Sequence, residues 1–261
     1  MATHEKDNSI RGKLCLITGA SGGIGRAVAR QFILQDVDLA LHYSSNQLAV
    51  EELVAQLRHD HATHRADDKY IRITTHQADL SVADEVLRLI EDVKKGHGRG
   101  VDILVSNAGR GKRITDIWDI PLEEFQTTIA VNLTASFLLT KGVVEHMKQK
   151  RWGRIIFVSS IAAKGVGING CHYAASKGGL TSMMKNLASK LAPYGITVND
   201  VAPAMIGDTG MIPNKNVEGL PDLPLGRLGY PEEVANVVMM FATTGYATGQ
   251  SFLLAGGLNH K

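Results

Sequence analysis

The chain has 261 residues, 44% of them hydrophobic and 21% charged, with 27 glycines; this is enough to bury a substantial core, long for one domain and short for two, so one domain is expected. Lys and Arg number 28 against 26 Asp and Glu, a formal charge of +2, which excludes a whole-protein field selecting nucleic acid or a membrane surface and makes any basic site local. Cys15 and Cys171 are unclustered and suggest neither a disulfide framework nor a metal site, which points to a reducing compartment.

The first twelve residues read as a flexible tail. The opening Met1 to Asn8 has no apolar core like a signal peptide and carries acids that a transit peptide avoids. No apolar run approaches the roughly 20 residues that span a bilayer, so the expectation is a soluble, cytoplasmic protein. Leu14 to Ile17 is a short apolar run, and Thr18-Gly19-Ala20-Ser21-Gly22-Gly23-Ile24-Gly25 follows it directly, with Ala27, Val28, Phe32 and Ile33 then at helical spacing. The order is strand, glycine turn, helix, which suits a pyrophosphate: glycines let the backbone approach and the helix start presents free N–H groups. The spacing is GxxxGxG rather than GxGxxG. Asp38 to Tyr43 reads as the second strand, ending at Ser44-Ser45-Asn46. An acid at this strand end would bond a ribose 2′-hydroxyl and repel a 2′-phosphate; none is present, and the small donors either receive that phosphate, favouring NADPH, or merely cap the helix that begins near Gln47.

Helical spacing runs from Leu48 to Leu57, and the His- and Asp-rich stretch Arg58 to Lys69 reads as a solvated loop, its spacings matching no metal-ligand pair. Ile71 to His76 alternates like a strand, with Asp79 and Leu80 at its end before a helix from Val82 to about Lys95. Asp79 either caps that helix or bonds an adenine amine, or does both. Asp102 to Val105 is a fourth buried strand ending in Ser106-Asn107-Ala108-Gly109, where small residues let a ribose lie against the backbone. A helix starts over Pro121 to Phe125 and continues through Phe137 and Leu138, interrupted by Asn132, a type of residue that usually bonds a nearby backbone group. Arg154 to Val158 is the fifth strand and delivers Ser159-Ser160 to the same carboxyl edge. A helix from Tyr173 to about Leu191, a strand from Thr197 to Val201 and then Ala202-Pro203-Ala204 complete another βαβ unit. The alternation predicts a doubly wound parallel sheet with helices on both faces and ligands at its carboxyl edge.

Tyr173 and Lys177 share one helix face. Lowering a tyrosine by about 2 to 3 pH units takes roughly 3 to 4 kcal/mol, and a positive charge about 5 Å away in an effective dielectric near 20 supplies roughly 3 kcal/mol. Alone, the pair also fits an ordinary exposed helix; its neighbours decide.

With the glycine turn, Asn107-Ala108-Gly109, Asn132, Ser160 and Tyr173/Lys177 in order, the sequence from about Lys13 to Leu258 resembles the short-chain dehydrogenase/reductase family, most of all its 3-oxoacyl carrier-protein reductase and ketoreductase branch. The resemblance implies a single-domain Rossmann-type sheet of about seven strands, reversible hydride transfer between nicotinamide and a ketone or secondary alcohol, and a catalytic tetrad of Asn132, Ser160, Tyr173 and Lys177. The family's serine precedes its tyrosine by about a dozen residues, which selects Ser160 over Ser159 and leaves Cys171 and His172 as pocket lining or bystanders. In this reading Tyr173 protonates the alkoxide, Ser160 bonds that oxygen, Lys177 lowers the tyrosine pKa and holds the ribose, and Asn132 anchors a water chain.

NADP(H) is the expected cofactor, with NAD(H) second. Its contacts are expected from Gly19, Ser21, Gly22, Gly23, Ile24 and Gly25, from Tyr43, Ser44, Ser45 and Asn46, and from Asp79 and Leu80. Asn107, Ala108, Gly109, Tyr173, Lys177, Pro203, Ala204, Ile206 and Thr209 complete the set. The chain departs from the family in having Pro203-Ala204 for Pro-Gly, Asp208 or Thr209 where a cofactor-contacting Thr is usual, and Ala255-Gly256-Gly257 for Asp-Gly-Gly.

About 205–228, with Pro213, Pro221 and Pro224, reads as a substrate lid or an ordinary loop. Arg110, Lys112 and Arg113 either receive an acidic carrier protein or form a solvated basic loop. The expected partners are a small-molecule carbonyl substrate, acyl-carrier-linked or a free small ketone, sugar or polyol, and three further copies of the chain, a homotetramer with contacts through Val234 to Phe241 and Ser251 to Leu254. A catalytically silent dinucleotide-sensing scaffold is the alternative of another class; the complete tetrad argues against it.

Overall fold

The computed structural model describes residues 8–64, 71–165, 167–212 and 223–258. Four strands that read as apolar runs, β1 (Leu14–Ile17), β2 (Asp38–Tyr43), β4 (Ile103–Ser106) and β5 (Gly153–Val158), lie with β3 (Ile73–Gln77), β6 (Ile196–Pro203) and β7 (Ser251–Leu254) in one sheet of order β3-β2-β1-β4-β5-β6-β7. Every pairing is parallel. A parallel sheet is covered on both faces, which is why β1 is apolar at all four positions. Cys15 and Ile17 enter one core and Leu14 and Leu16 the other, as period-two side chains must.

The first core is closed by α1 (Gly23–Ile33), α2 (Gln47–His64) and α7 (Pro231–Thr243), the second by α3 (Ala83–His97), α5 (Ala135–Lys150) and α6 (Cys171–Leu191). A short helix α4 (Leu122–Ile129) runs into α5 through one π-helical stretch, Ala130–Thr134. Among the described residues the continuous helix Leu122–Lys150 is the one long and apolar enough to cross a membrane. In this fold it turns buried Asn132, Ser136 and Thr140 inward and packs against α3 and α6.

Two stretches differ from expectation. The polar segment read as a loop from Arg58 is helical through His64, because Leu53, Leu57 and His61 continue one stripe at four-residue spacing. Leu53 and Leu57 are fully buried and His61 Nε2 meets Asp36 Oδ1 at 3.2 Å. The rest of that segment, 65–70, lies outside the described residues. Of the expected N-terminal tail, residues 8–12 are packed: Ile10 joins the first core and the Gly12 N–H donates to Asp36 O at 2.8 Å. Residues 1–7 lie outside the described chain, as does the centre of the expected lid, 213–222, with Pro213 and Pro221.

Candidate active site

β1 pairs with β2 on one side and β4 on the other, so their connections leave in opposite directions and open a crevice at the carboxyl edge. The turn after β1 is tightly specified. Gly19 has φ 65°, which favours glycine; its N–H donates to His42 Nδ1 at 3.1 Å, while His42 Nε2 donates to Ala78 O at 3.0 Å. This pairing fixes a neutral imidazole, and burial holds its pKa below the usual histidine value. A side chain on Gly25 would strike the Gly19 carbonyl, and one on Gly23 the Asp208 carbonyl. α1 starts at Gly22 without a side-chain cap and without an acid in its first turn. A cradle that only glycine fits, at a helix start with uncapped N–H groups, suits a pyrophosphate.

The far wall is fastened to this turn. Thr18 Oγ1 accepts from the N–H groups of both Asn107 and Ala108 at 3.0 Å, and Asn107 Nδ2 donates to Thr18 O at 2.8 Å and Gly19 O at 3.2 Å. The side chain of Asn107 thus holds two strand ends together. Beyond it, a Cβ on Gly109 would stand 3.4 Å from both Asn132 Oδ1 and Lys177 Nζ, so the fourth strand end lies against the catalytic candidates.

The crevice opens into a cleft of about 1150 Å³. Ser160, Tyr173 and Lys177 line it together, as do Gly19, Ser21, Gly22, Gly23, Ile24, Ser44, Asp79, Leu80, Asn107, Ala108, Gly109, Pro203, Ala204, Ile206 and Thr209. Gly25, Tyr43, Ser45, Asn46 and Asn132 do not. Gly25 is buried beneath the turn; Tyr43 follows Leu39 and Leu41 into the first core, its neighbour His42 taking the cleft side. Ser45 is exposed, and Asn46 Oδ1 accepts from Ala49 N at 3.1 Å, the helix cap that its position allowed. Asp79 does not cap α3; its Oδ1 accepts from Ser81 N and Oγ at 2.8 and 2.7 Å, which lowers its pKa.

Ser159 Oγ pairs with Thr181 Oγ1 at 3.0 Å, whereas Ser160 Oγ accepts from Ala162 N at 3.1 Å and acts on the Tyr173 phenol, lowering its pKa. Lys177 Nζ donates to Val158 O at 2.9 Å and stands 5.7 Å from the Tyr173 ring centre. Burial brings the Lys177 pKa down to about 8, with Asp200 acting in the opposite sense. Burial also raises Tyr173, against the hydrogen bond from Ser160. Here the structure departs from the expected lowering of tyrosine: both groups have left water, and for the phenol desolvation outweighs the lowering that Ser160 supplies. Tyr173 therefore holds its proton at neutral pH.

Asn132 sits in the π-helical stretch, 1% exposed. Its Oδ1 accepts from Arg110 N at 2.8 Å, and Nδ2 donates to Arg110 O at 3.0 Å and Ser176 Oγ at 2.9 Å. Both amide protons are committed to protein, so the side chain ties the turn after β4 to α6. In the basic loop, Arg110 makes a two-pronged pair with Glu124 at 2.7 Å and Lys112 lies 3.8 Å from the same carboxylate, which is held at about 2. His172 is buried with Nε2 3.1 Å from Lys112 O, and Cys171 is exposed; neither lines the cleft.

The cleft is also lined by Ile161, Ile168, Met205 and Met211; the two methionines fall in the segment expected as a lid, whereas Ile161 and Ile168 were not expected, because apolar residues in loops have no periodicity to mark them. His42, buried behind the glycine turn, was also passed over, although a histidine inside an apolar strand was a visible signal.

Residues 13–218 match the family described as short chain dehydrogenase. The 3-oxoacyl-[acyl-carrier-protein] reductase of Synechocystis sp. is 36% identical over 254 residues, covering 96% of this chain and 98% of that protein. Among solved structures, acetoin dehydrogenase YohF of Salmonella typhimurium superposes with TM-score 0.82 at 28% identity, covering 94% of this chain and 96% of that one. A short chain dehydrogenase from Burkholderia cenocepacia in complex with NADP gives TM-score 0.81 at 30% identity, covering 96% and 99%.

Proposed function

The chain belongs to the short chain dehydrogenase family, oxidoreductases that bind a nicotinamide dinucleotide and act on CH–OH and C=O groups, and from that premise we propose that it is an NADPH-dependent carbonyl reductase of the 3-oxoacyl-reductase type. The observation that carries this reading is the convergence of Ser160, Tyr173 and Lys177 in one cleft with the glycine turn. When bound, the nicotinamide supplies or receives the hydride. The chain's own residues manage the oxygen: Tyr173, protonated at neutral pH, gives its proton to the forming alkoxide, and the Ser160 hydroxyl donates to the same oxygen. Lys177 stabilises the phenolate left behind and holds the ribose. Asn132 is a positioning residue rather than the anchor of a water chain through its amide, since both its protons are already used.

NADP over NAD is proposed because no acid stands at the end of β2, where Ser44 faces the cleft, and it agrees with the NADP complex of the Burkholderia relative. The substrate is proposed to be a 3-oxoacyl group, free or on an acidic carrier, matching the apolar Ile161, Ile168, Met205 and Met211 and the curated relative from Synechocystis. A small hydroxyketone is the second reading, favoured by the likeness to acetoin dehydrogenase. A cytoplasmic homotetramer, with α7 and β7 at subunit contacts, completes the proposal; exposed Tyr246 and Phe252 flank that edge. A panel of 3-oxoacyl thioesters, hydroxyketones and sugars, run with NADPH and NADH in parallel, tests it. Highest kcat/KM with a 3-oxoacyl thioester and NADPH is the expected result. Cofactor binding without turnover on any carbonyl would leave a silent scaffold instead.

A further inference from the structure

Asp200 is a buried acid that the tetrad does not use. It lies mid-strand in β6 with no exposed surface, a costly place for a carboxylate unless it is paired and hydrogen-bonded. Two elements supply side-chain partners. Thr181 Oγ1 donates to Asp200 Oδ2 at 2.8 Å, and Ser251 Oγ from β7 donates to Oδ1 at 2.6 Å. Because the Thr181 proton is committed to Asp200, Ser159 is the donor of the 3.0 Å bond to Thr181. Thr181 is four residues beyond Lys177, which is four beyond Tyr173, so one stripe of α6 presents phenol, ammonium and hydroxyl in successive turns. The carboxylate is fastened one turn from the lysine.

We propose that Asp200 is a positioning residue for the reaction, the buried counter-charge that keeps Lys177 an ammonium beside Tyr173. This rests on the carbonyl-reductase reading of the site. Lys177 is 3% exposed and its Nζ bonds one backbone carbonyl, Val158 O, so water contributes little to holding its charge. An acid in direct contact would draw the ammonium away from the cleft and occupy its protons. Held in place by Thr181 and Ser251, Asp200 acts through the low-dielectric interior and leaves Nζ facing Gly109 and the cleft. The charged groups that act on Asp200 are Lys177 and the exposed Lys185, both from α6; the charge that acts on Lys177 is Asp200.

The test titrates Lys177 directly, with 13C-labelled lysine followed by NMR in the protein without substrate and the signal assigned by its absence in Lys177→Arg. The wild-type midpoint is expected near 8, and Asp200→Asn, which preserves shape, is expected to lower it by about one pH unit or more. On the ketone accepted in the panel, kcat/KM of Asp200→Asn then matches wild type near pH 6 and is about ten-fold lower at pH 9. An unchanged Lys177 midpoint in folded Asp200→Asn overturns the proposal whatever the substrate proves to be. An inactive panel with a shifted midpoint would instead sink the reductase reading alone. Should Asp200→Asn not fold, Thr181→Val removes one hydroxyl from the carboxylate while retaining the acid; a midpoint below wild type supports the proposal and an identical one refutes it.

Discussion

Replacing Lys177 by Met makes the cost of a dry ammonium measurable as stability. The folded lysine titrates near 8 against 10.5 for the free side chain, chiefly because burial disfavours its charge; that difference is about 3 kcal/mol. The folded value is depressed, so the unfolded chain binds the extra proton between the two values and stability rises with pH there. Below pH 8 both states are charged and the folded protein carries the full cost. By pH 10 most of it has been relieved. Between pH 7 and pH 10, wild-type stability should therefore gain about 2 to 3 kcal/mol over Lys177→Met, since groups that do not interact with Lys177 cancel in the difference. Loss of the Nζ bond to Val158 O offsets the two curves without changing their slopes. Urea unfolding at fixed protein concentration across that range reads the difference directly. Parallel curves for the two proteins would show that Lys177 titrates in the fold as it does in water, and the account of a desolvated ammonium would fail.

Tyr173→Phe deletes the proposed proton donor and should lower kcat by about 10² to 10⁴ with cofactor affinity, read by nicotinamide fluorescence, within a few-fold of wild type; near-normal turnover refutes the assignment. Ser160→Ala should cost kcat about 10²-fold or more, whereas Ser159→Ala, whose hydroxyl faces Thr181, should cost much less, and the reverse order would exchange their roles. Gly25→Ala puts a methyl group against the Gly19 carbonyl; overpacking of this kind costs about 1 to 3 kcal/mol, so both the urea midpoint and dinucleotide affinity should drop, and an unaffected affinity would deny the turn its role.

The strands were legible where chemistry changes abruptly. Leu14–Ile17 and Asp38–Tyr43 are bounded by turn residues or glycine and fall where the apolar pattern placed them. The helix beyond Leu57 was not, because its continuation rests on one histidine meeting Asp36 across the fold, a partnership that local polarity conceals. Tyr173 and Lys177 were legible as a pair by spacing, but the direction of the tyrosine shift depends on burial from several elements, which no four-residue interval contains. Asn132 was visible as a polar break in an apolar helix, and its use as a backbone tie through Arg110 and Ser176 fits the ordinary behaviour of such residues. Asp200 could have been noticed as an acid inside an apolar strand; its partners come from α6 and β7, far apart in the chain, so its function was readable only in three dimensions.

The bonds that join Thr18 to Asn107 and Ala108 also decide what ligand binding costs. They cross the crevice between β1 and β4 at the point where two diverging strands would otherwise splay, and they do so before any dinucleotide arrives. On the reading proposed above, a pyrophosphate at this turn would meet strand ends already tied together and leave less loop to order on binding. Adaptation to substrates of different length would fall instead to cleft-lining side chains such as Met205 and Met211, whose unbranched thioethers repack readily. On that reading the glycine turn is a fixed socket and the methionines a deformable wall, a division that would let substrate preference drift by substitution in the wall while the cofactor side stays unaltered.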